Sequence, residues 1–187
     1  VDYPNIQYHF FPSLVLDHGR KNSTCHSFQA HVGPMRPTSR GHVKLKSSSP
    51  YDPPAIQFNY MQTDHDLREM REGIKIAREI FHQKEFDEFR GKEISPGVDV
   101  ETEEDLNSFI REKGDTAYHP SCTCKMGKDD MSVVDEELKV YGVDSLRVID
   151  ASIMPNIITG NLNASTVMIA EKVSDMLIKS DPKKTYA

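Results

Sequence analysis

The chain has no run of apolar residues long enough to form a membrane-spanning helix. Basic residues are not in excess either: 23 Lys and Arg stand against 29 Asp and Glu, a net charge of −6. With no basic patch to neutralise phosphates, nucleic acid is excluded as the main partner. Cysteine is scarce, and Cys25, Cys122 and Cys124 are too few for a disulfide framework. Their odd number fits a reducing compartment. None of the ten glycines falls into a Gly-x-Gly-x-x-Gly pattern, so the chain carries no dinucleotide-binding turn. The opening residues VDYPNIQYHF have neither an initiating Met nor the apolar core of a signal peptide. A processed piece or a fragment is therefore expected. What remains is a 187-residue chain with 37% hydrophobic and 28% charged residues, the composition of a globular protein with an ordinary core. Its acidic balance suits a cationic substrate, or simply a solvated surface.

Alternation sets the first part of the chain. Ile6, Tyr8 and Phe10 alternate with Gln7 and His9, and Phe28, Ala30 and Val32 repeat the pattern. Val43 and Leu45 alternate with His42, Lys44 and Lys46, and IQFNY at 56–60 follows a turn-rich SSSPYDPP. These stretches predict antiparallel strands in a sheet with one wet or ligand-facing side. At Thr63 the period changes. Thr63-Asp64-His65-Asp66 resembles a capping box with Asp in place of Glu, and Leu67, Met70, Ile74, Ala77 and Phe81 follow at helical spacing. A second helix is predicted from near Thr102 to Gly114. LKVYGV and LRVID, within 138–150, predict two short strands. A helix from about Ala164 to Lys179 has a broad apolar surface and is expected to be well buried, and the tail after it is expected to fray.

Two stretches call for chemistry. The first is YHPSCTCKMG, residues 118–127. Its His119, Cys122 and Cys124 lie close enough to suggest a metal clamp, but structural zinc favours Cys-x₂₋₄-Cys spacing and four ligands. A redox dithiol would need a tight Cys-x-Cys ring without a thioredoxin-like context. The plain alternative is two small thiols buried as loop packing. His119 stands apart, because Pro120 restricts its backbone and Tyr118 offers an aromatic wall; it reads as either structural or catalytic. The second stretch is RVIDASIMPNIITGNLNAST, residues 147–166, in which a short strand ending at Asp150 leads through an irregular segment into the last helix. A helix N-terminus presents N–H groups without partners and a positive dipole end, a place for an anion or developing negative charge. Asn161 and Asn163 could equally be helix caps.

Together and in this order, these stretches resemble the C-terminal signature of the glucose–methanol–choline (GMC) flavin oxidoreductases, and are most similar to its choline-oxidising members. GPMRPTSRGHVKLKSSSP and PAIQFNY are similar to the opening of the family's substrate domain. The resemblance implies an α+β fold: a mainly antiparallel sheet covered by helices, with a C-terminal strand–helix piece belonging to the FAD domain. It divides the chain into a substrate-binding domain over 1–140, a segment over 141–180 that completes the FAD-binding domain, and a flexible tail over 181–187. It implies that the Rossmann half is absent.

By the same resemblance His119 matches the catalytic histidine and Asn161 the second active-site position. Asp150 and Ala151 match positions near the FAD phosphates and ribityl, and Asn161, Leu162 and Asn163 positions at the flavin's pyrimidine edge. Tyr118 matches an aromatic of the substrate pocket, and no metal is implied. The implied activity is FAD-dependent oxidation of choline to betaine aldehyde, with electrons leaving to a respiratory acceptor in mitochondria. The residue types suit that chemistry. An imidazole, with an unperturbed pKa of about 6.5, can take the hydroxyl proton, and a carboxamide can donate a hydrogen bond to the alkoxide. His119 and Asn161 are 42 residues apart, so only folding can bring them together. By itself the chain is expected to be inactive, and to associate with the missing half or with full-length subunits. The alternatives are a non-catalytic interaction module and another GMC alcohol oxidoreductase.

Overall fold

Thr63 and Thr102 decide where two helices begin. The computed structural model describes residues 3–16, 19–21 and 25–180, and the expected frayed tail at 181–187 lies outside them. The chain divides into two compact units: Val1–Gly41 with Phe58–Asp115, and His42–Gln57 with Thr116–Ala187.

In the first unit, β1 (Ile6–Phe11) pairs antiparallel with β2 (Gln29–Pro34), with Ile6 opposite Pro34 and Phe11 opposite Gln29. Helices α1 (Asp64–Phe81) and α2 (Glu103–Lys113) complete it. Both helices have the threonine cap expected of them, but they use the following aspartate differently. At α2 the reciprocal box forms: Thr102 accepts from the Asp105 N–H, and Asp105 accepts from the Thr102 N–H. At α1 Thr63 accepts from the Asp66 N–H at 3.3 Å, yet the Asp66 carboxylate turns away from the helix. It accepts instead from the Thr38 N–H (2.7 Å), the Thr38 hydroxyl (2.9 Å) and the Ser39 N–H (2.9 Å). Asp66 is fully buried. Burial alone would raise its pKa, but the hydrogen bonds from Ser39 and Thr38 outweigh that and hold the carboxyl below its ordinary value.

The core of this unit is Leu67 and Ile74 from α1 against Leu106 and Ile110 from α2, with Val32, Met70 and Phe109 packed on it. Burying each such side chain contributes about 1.5–3 kcal/mol. Helix α1 lies close on the sheet because position 73 is glycine: a Cβ there would come within 2.5 Å of Val32 Cγ2. The Tyr8 hydroxyl donates to the Gly73 carbonyl at 2.6 Å across the same contact. Beyond α1, Arg78 makes a two-pronged pair with Glu93 and donates to the carbonyls of Gly97 and Val100, holding the 93–100 loop.

In the second unit, β3 (His42–Lys44) pairs antiparallel with β4 (Ala55–Gln57). The rest is the segment from Thr116 to α3 (Leu162–Ser180). The two strands predicted in 138–150 do not form. Only isolated bridges occur there, Val134 with Val140 and Lys139 with Arg147. Leu138, Gly142 and Ser145 all take positive φ, which breaks an extended run every few residues. The apolar residues of this looped ladder still form a core: Val134, Leu138, Ile153 and Val173 are buried together. The expectation of a well-buried last helix also fails. Leu162 and Val173 are buried, whereas Val167, Met168 and Ile178 are each more than half exposed. Among the described residues the fold is α+β, with two small antiparallel sheets and three α-helices. Among the described residues no helix is long and apolar enough to cross a membrane.

Two stability predictions follow from the first unit. Asp66→Asn should cost about 1–3 kcal/mol in denaturant unfolding, because a buried acceptor set is disrupted. Since the folded pKa of Asp66 is depressed, its contribution is fully present above the unfolded carboxylate value of about 3.9. That contribution is lost as pH falls through the folded value, so the gap between wild type and variant closes on acidification. Gly73→Ala should also destabilise, as overpacking against Val32 of about 1–3 kcal/mol outweighs a helix-propensity gain of about 1 kcal/mol. A raised denaturation midpoint would show that the contact yields freely.

Candidate active site

The loop that carries His119 is shaped by its backbone. The Tyr118 N–H donates to the Thr116 hydroxyl at 2.9 Å, and Tyr118 sits at φ +62°. Pro120 then biases His119 toward extended backbone. Cys122 takes φ +70°, and the chain then turns at Thr123 and Cys124 beside the turn that follows Asp150. The N–H groups of Cys122, Cys124 and Met126 donate to the carbonyls of Ala151, Ser152 and Ile153, at 3.3, 2.9 and 2.7 Å. These three bonds fasten the two sequence stretches together.

The turn itself, Ala151–Ile153, is a single 3₁₀ turn. Asp150 caps it by accepting from the Ser152 N–H at 2.8 Å and from the Ser152 hydroxyl. Ile153 and Met154 anchor it, at 3% and 5% exposure. The segment 155–161 then leads into α3, whose first residue, Leu162, is buried. Helix α3 has no acidic residue in its first turn, whereas α1 opens with Asp64 and Asp66 and α2 with Glu103, Glu104 and Asp105. The positive end of its dipole is therefore left without a neighbouring carboxylate from that turn.

The sequence-derived site residues all fall in the second unit. Ala151 is bonded to the Cys122 backbone and Asp150 caps the same turn. His119 precedes the first fastening bond by three residues and is exposed, as are Tyr118, Asn161 and Asn163. Cys122 and Cys124 are free thiols, but they are only partly buried, so the expectation of buried packing thiols is corrected. Their backbone N–H groups, more than their sulfurs, tie the loop down. Among the described residues no three His, Cys, Asp or Glu side chains are arranged to hold a metal.

Solved oxidoreductases share this fold. Pyridoxine 4-oxidase from Mesorbium loti superposes with a TM-score of 0.84 and 32% identity, over 92% of this chain and 34% of that one. A formate oxidase of Aspergillus oryzae, described for its FAD modification, gives 0.89 and 28% over 98% of this chain and 33% of that one. Both of these neighbours are oxidases, and the formate oxidase carries FAD. The GMC oxidoreductase family, through its C-terminal domain, matches residues 37–170, and the chain belongs to that family. Curated relatives include the oxygen-dependent choline dehydrogenase of Pseudomonas fluorescens, 56% identical over 97% of this chain and 32% of the relative. The protein of the same name from Acinetobacter baumannii is 56% identical over 94% of this chain and 32% of the relative. The chain spans about a third of the length of these relatives. They are bacterial, and bacteria contain no mitochondria, so the mitochondrial expectation is overturned and the similarity points to a bacterial protein.

Asp150→Ala should loosen the fastened turn at a cost of about 1 kcal/mol, as loss of a capping side chain does. Hydrogen exchange is the readout: the amides of Cys124 and Met126 should exchange faster while those of α2 do not change. Unchanged protection would mean that the turn holds without its cap.

Proposed function

We propose that this chain is the C-terminal catalytic portion of an FAD-dependent alcohol dehydrogenase that oxidises choline. The observation that carries the reading is the set of three backbone bonds joining the His119 loop to the Asp150 turn, within a family whose curated relatives are named choline dehydrogenases. On this reading residues 1–140 contribute the substrate side and 141–180 complete the cofactor domain. The remaining cofactor contacts lie in the two-thirds of the relatives' length that this chain does not match.

The residues present suit a flavin. The first N–H groups of a 19-residue helix, at Leu162, Asn163 and Ala164, have no intrahelical acceptors. No carboxylate in that turn competes for them, so they can stabilise negative charge at a flavin's pyrimidine edge. Asn161 and Asn163 add side-chain donors beside it, and the Asp150–Ala151 turn offers backbone near the phosphates and ribityl. Bound FAD would supply the acceptor for the hydrogen leaving the carbinol carbon.

The protein's own work is proton handling and positioning. The imidazole of His119 takes the hydroxyl proton of the alcohol, which readies the carbinol for oxidation. Asn161 donates an amide hydrogen bond to the resulting alkoxide and does not compete for its proton. Tyr118 walls the pocket with an aromatic face, the type of surface that holds a trimethylammonium group.

In a full-length enzyme carrying this chain, His119→Ala should cut kcat for choline by about 10²–10⁴-fold while FAD content, read from the flavin absorbance, stays level. Near-normal turnover would remove His119 from the mechanism. Turnover of other primary alcohols in preference to choline would keep the family chemistry and replace the substrate.

A further inference from the structure

The face of the β1–β2 sheet turned away from α1 carries two histidines directly opposite one another. In the antiparallel register His9 pairs with His31. The Met35 N–H donates to the Asn5 carbonyl at 2.8 Å, and these residues are themselves opposite, since the register extends one step beyond Ile6 and Pro34. Hydrogen-bonded pairs recur at every second residue, so His9 and His31 form one as well. Strand alternation sends Ile6 and Tyr8 toward Gly73 of α1, and therefore His9 to the opposite face, where both imidazoles are exposed. Opposed Cβ atoms on one face stand about 5 Å apart, within reach of a single ion held by both rings.

The ring of His31 is already oriented. Gln29 Oε1 accepts from the Val15 N–H at 3.0 Å, which fixes the amide so that its Nε2 lies 2.6 Å from His31 Nε2 and donates to it. Phe11, on the same face, packs its ring 5.0 Å from that of His31. The lone pair of His31 is thus placed on Nε2, the atom farthest from the backbone, with the proton on Nδ1. A cation held by both rings displaces that amide hydrogen bond and turns the His31 ring from Gln29 and Phe11 toward His9.

We propose that His9 and His31 form a two-imidazole clamp for a divalent transition-metal ion of borderline softness, of the Ni²⁺, Cu²⁺ or Zn²⁺ type. Imidazole is the ligand these ions favour, and they sit at the strong end of the divalent affinity order. Two protein ligands leave the remaining positions to solvent, so the site is open and exchangeable, unlike a closed four-ligand structural site. The clamp is independent of the choline-oxidising reading, because neither histidine has a part in it.

The test is calorimetric titration of the tag-free chain with NiCl₂, chosen because Ni²⁺ does not oxidise the three thiols, together with NMR of the imidazole signals. Expected are one Ni²⁺ per chain, paramagnetic broadening confined to His9 and His31, and affinity lowered at least about tenfold by His9→Ala and by His31→Ala. Both variants change exposed side chains, and their unaltered circular dichroism would certify the fold. Wild-type Ni²⁺ affinity in either variant, or broadening centred on other histidines, would overturn the clamp.

Discussion

The second unit depends on one constraint: the 122–126 segment must lie against the turn after Asp150. Three main-chain N–H groups and three main-chain carbonyls meet there, each a polar group that would be costly to leave unpaired once apolar neighbours cover it. Ile153, at the end of that turn, reaches into the cluster of Val134, Leu138 and Val173. The fastening thus joins a surface loop bearing His119 to the core beneath α3. Because the bonds are backbone to backbone, they tolerate changes of side chain at Thr123 and Lys125 while still fixing where residues 118 and 119 emerge. A fold can in this way fix the course of an exposed loop without burying it.

Each helix start handles charge in its own way. Helix α2 keeps its first-turn aspartate for its own cap, and α1 exports its aspartate to the 38–39 segment. Helix α3 carries no first-turn carboxylate at all. The first turn of α3 stands beside the exposed Asn161 and Asn163. A capping carboxylate there would stabilise the helix and, on the proposed reading, repel the anionic edge of a flavin.

The sequence was most legible where local chemistry decides the outcome. Thr63, Thr102 and Gly114 mark helix ends through bonds within a few residues, and the alternation of Ile6, Tyr8 and Phe10 marks β1 directly. It was less legible where the result depends on distant partners. LKVYGV and LRVID have the composition of strands, but positive φ at Leu138 and Ser145 turns them into bridged loops around Val134. The Asp66 carboxylate reads as half of a capping box until residues 28 positions upstream claim it. The family was legible because long motifs such as YHPSCTCKMG and GNLNAST survive as strings, whereas the Ala151, Ser152 and Ile153 carbonyls that position the first of them have no side-chain signature. The compartment came from analogy alone, and the bacterial relatives replaced it.

The uneven exposure of apolar side chains affects how this chain behaves in solution. Its mean hydropathy is −0.57, on the hydrophilic side. Yet Tyr51 is 92% exposed, Leu45 87% and Met131 76%, and β3 and β4 are three-residue strands whose outer edges are unpaired within their sheet. Averages hide such patches, and unpaired strand edges beside exposed apolar groups are the usual seeds of self-association. The 42–57 hairpin, with Leu45, Tyr51 and unpaired strand edges together, is therefore one such place, and charged residues put there should reduce self-association.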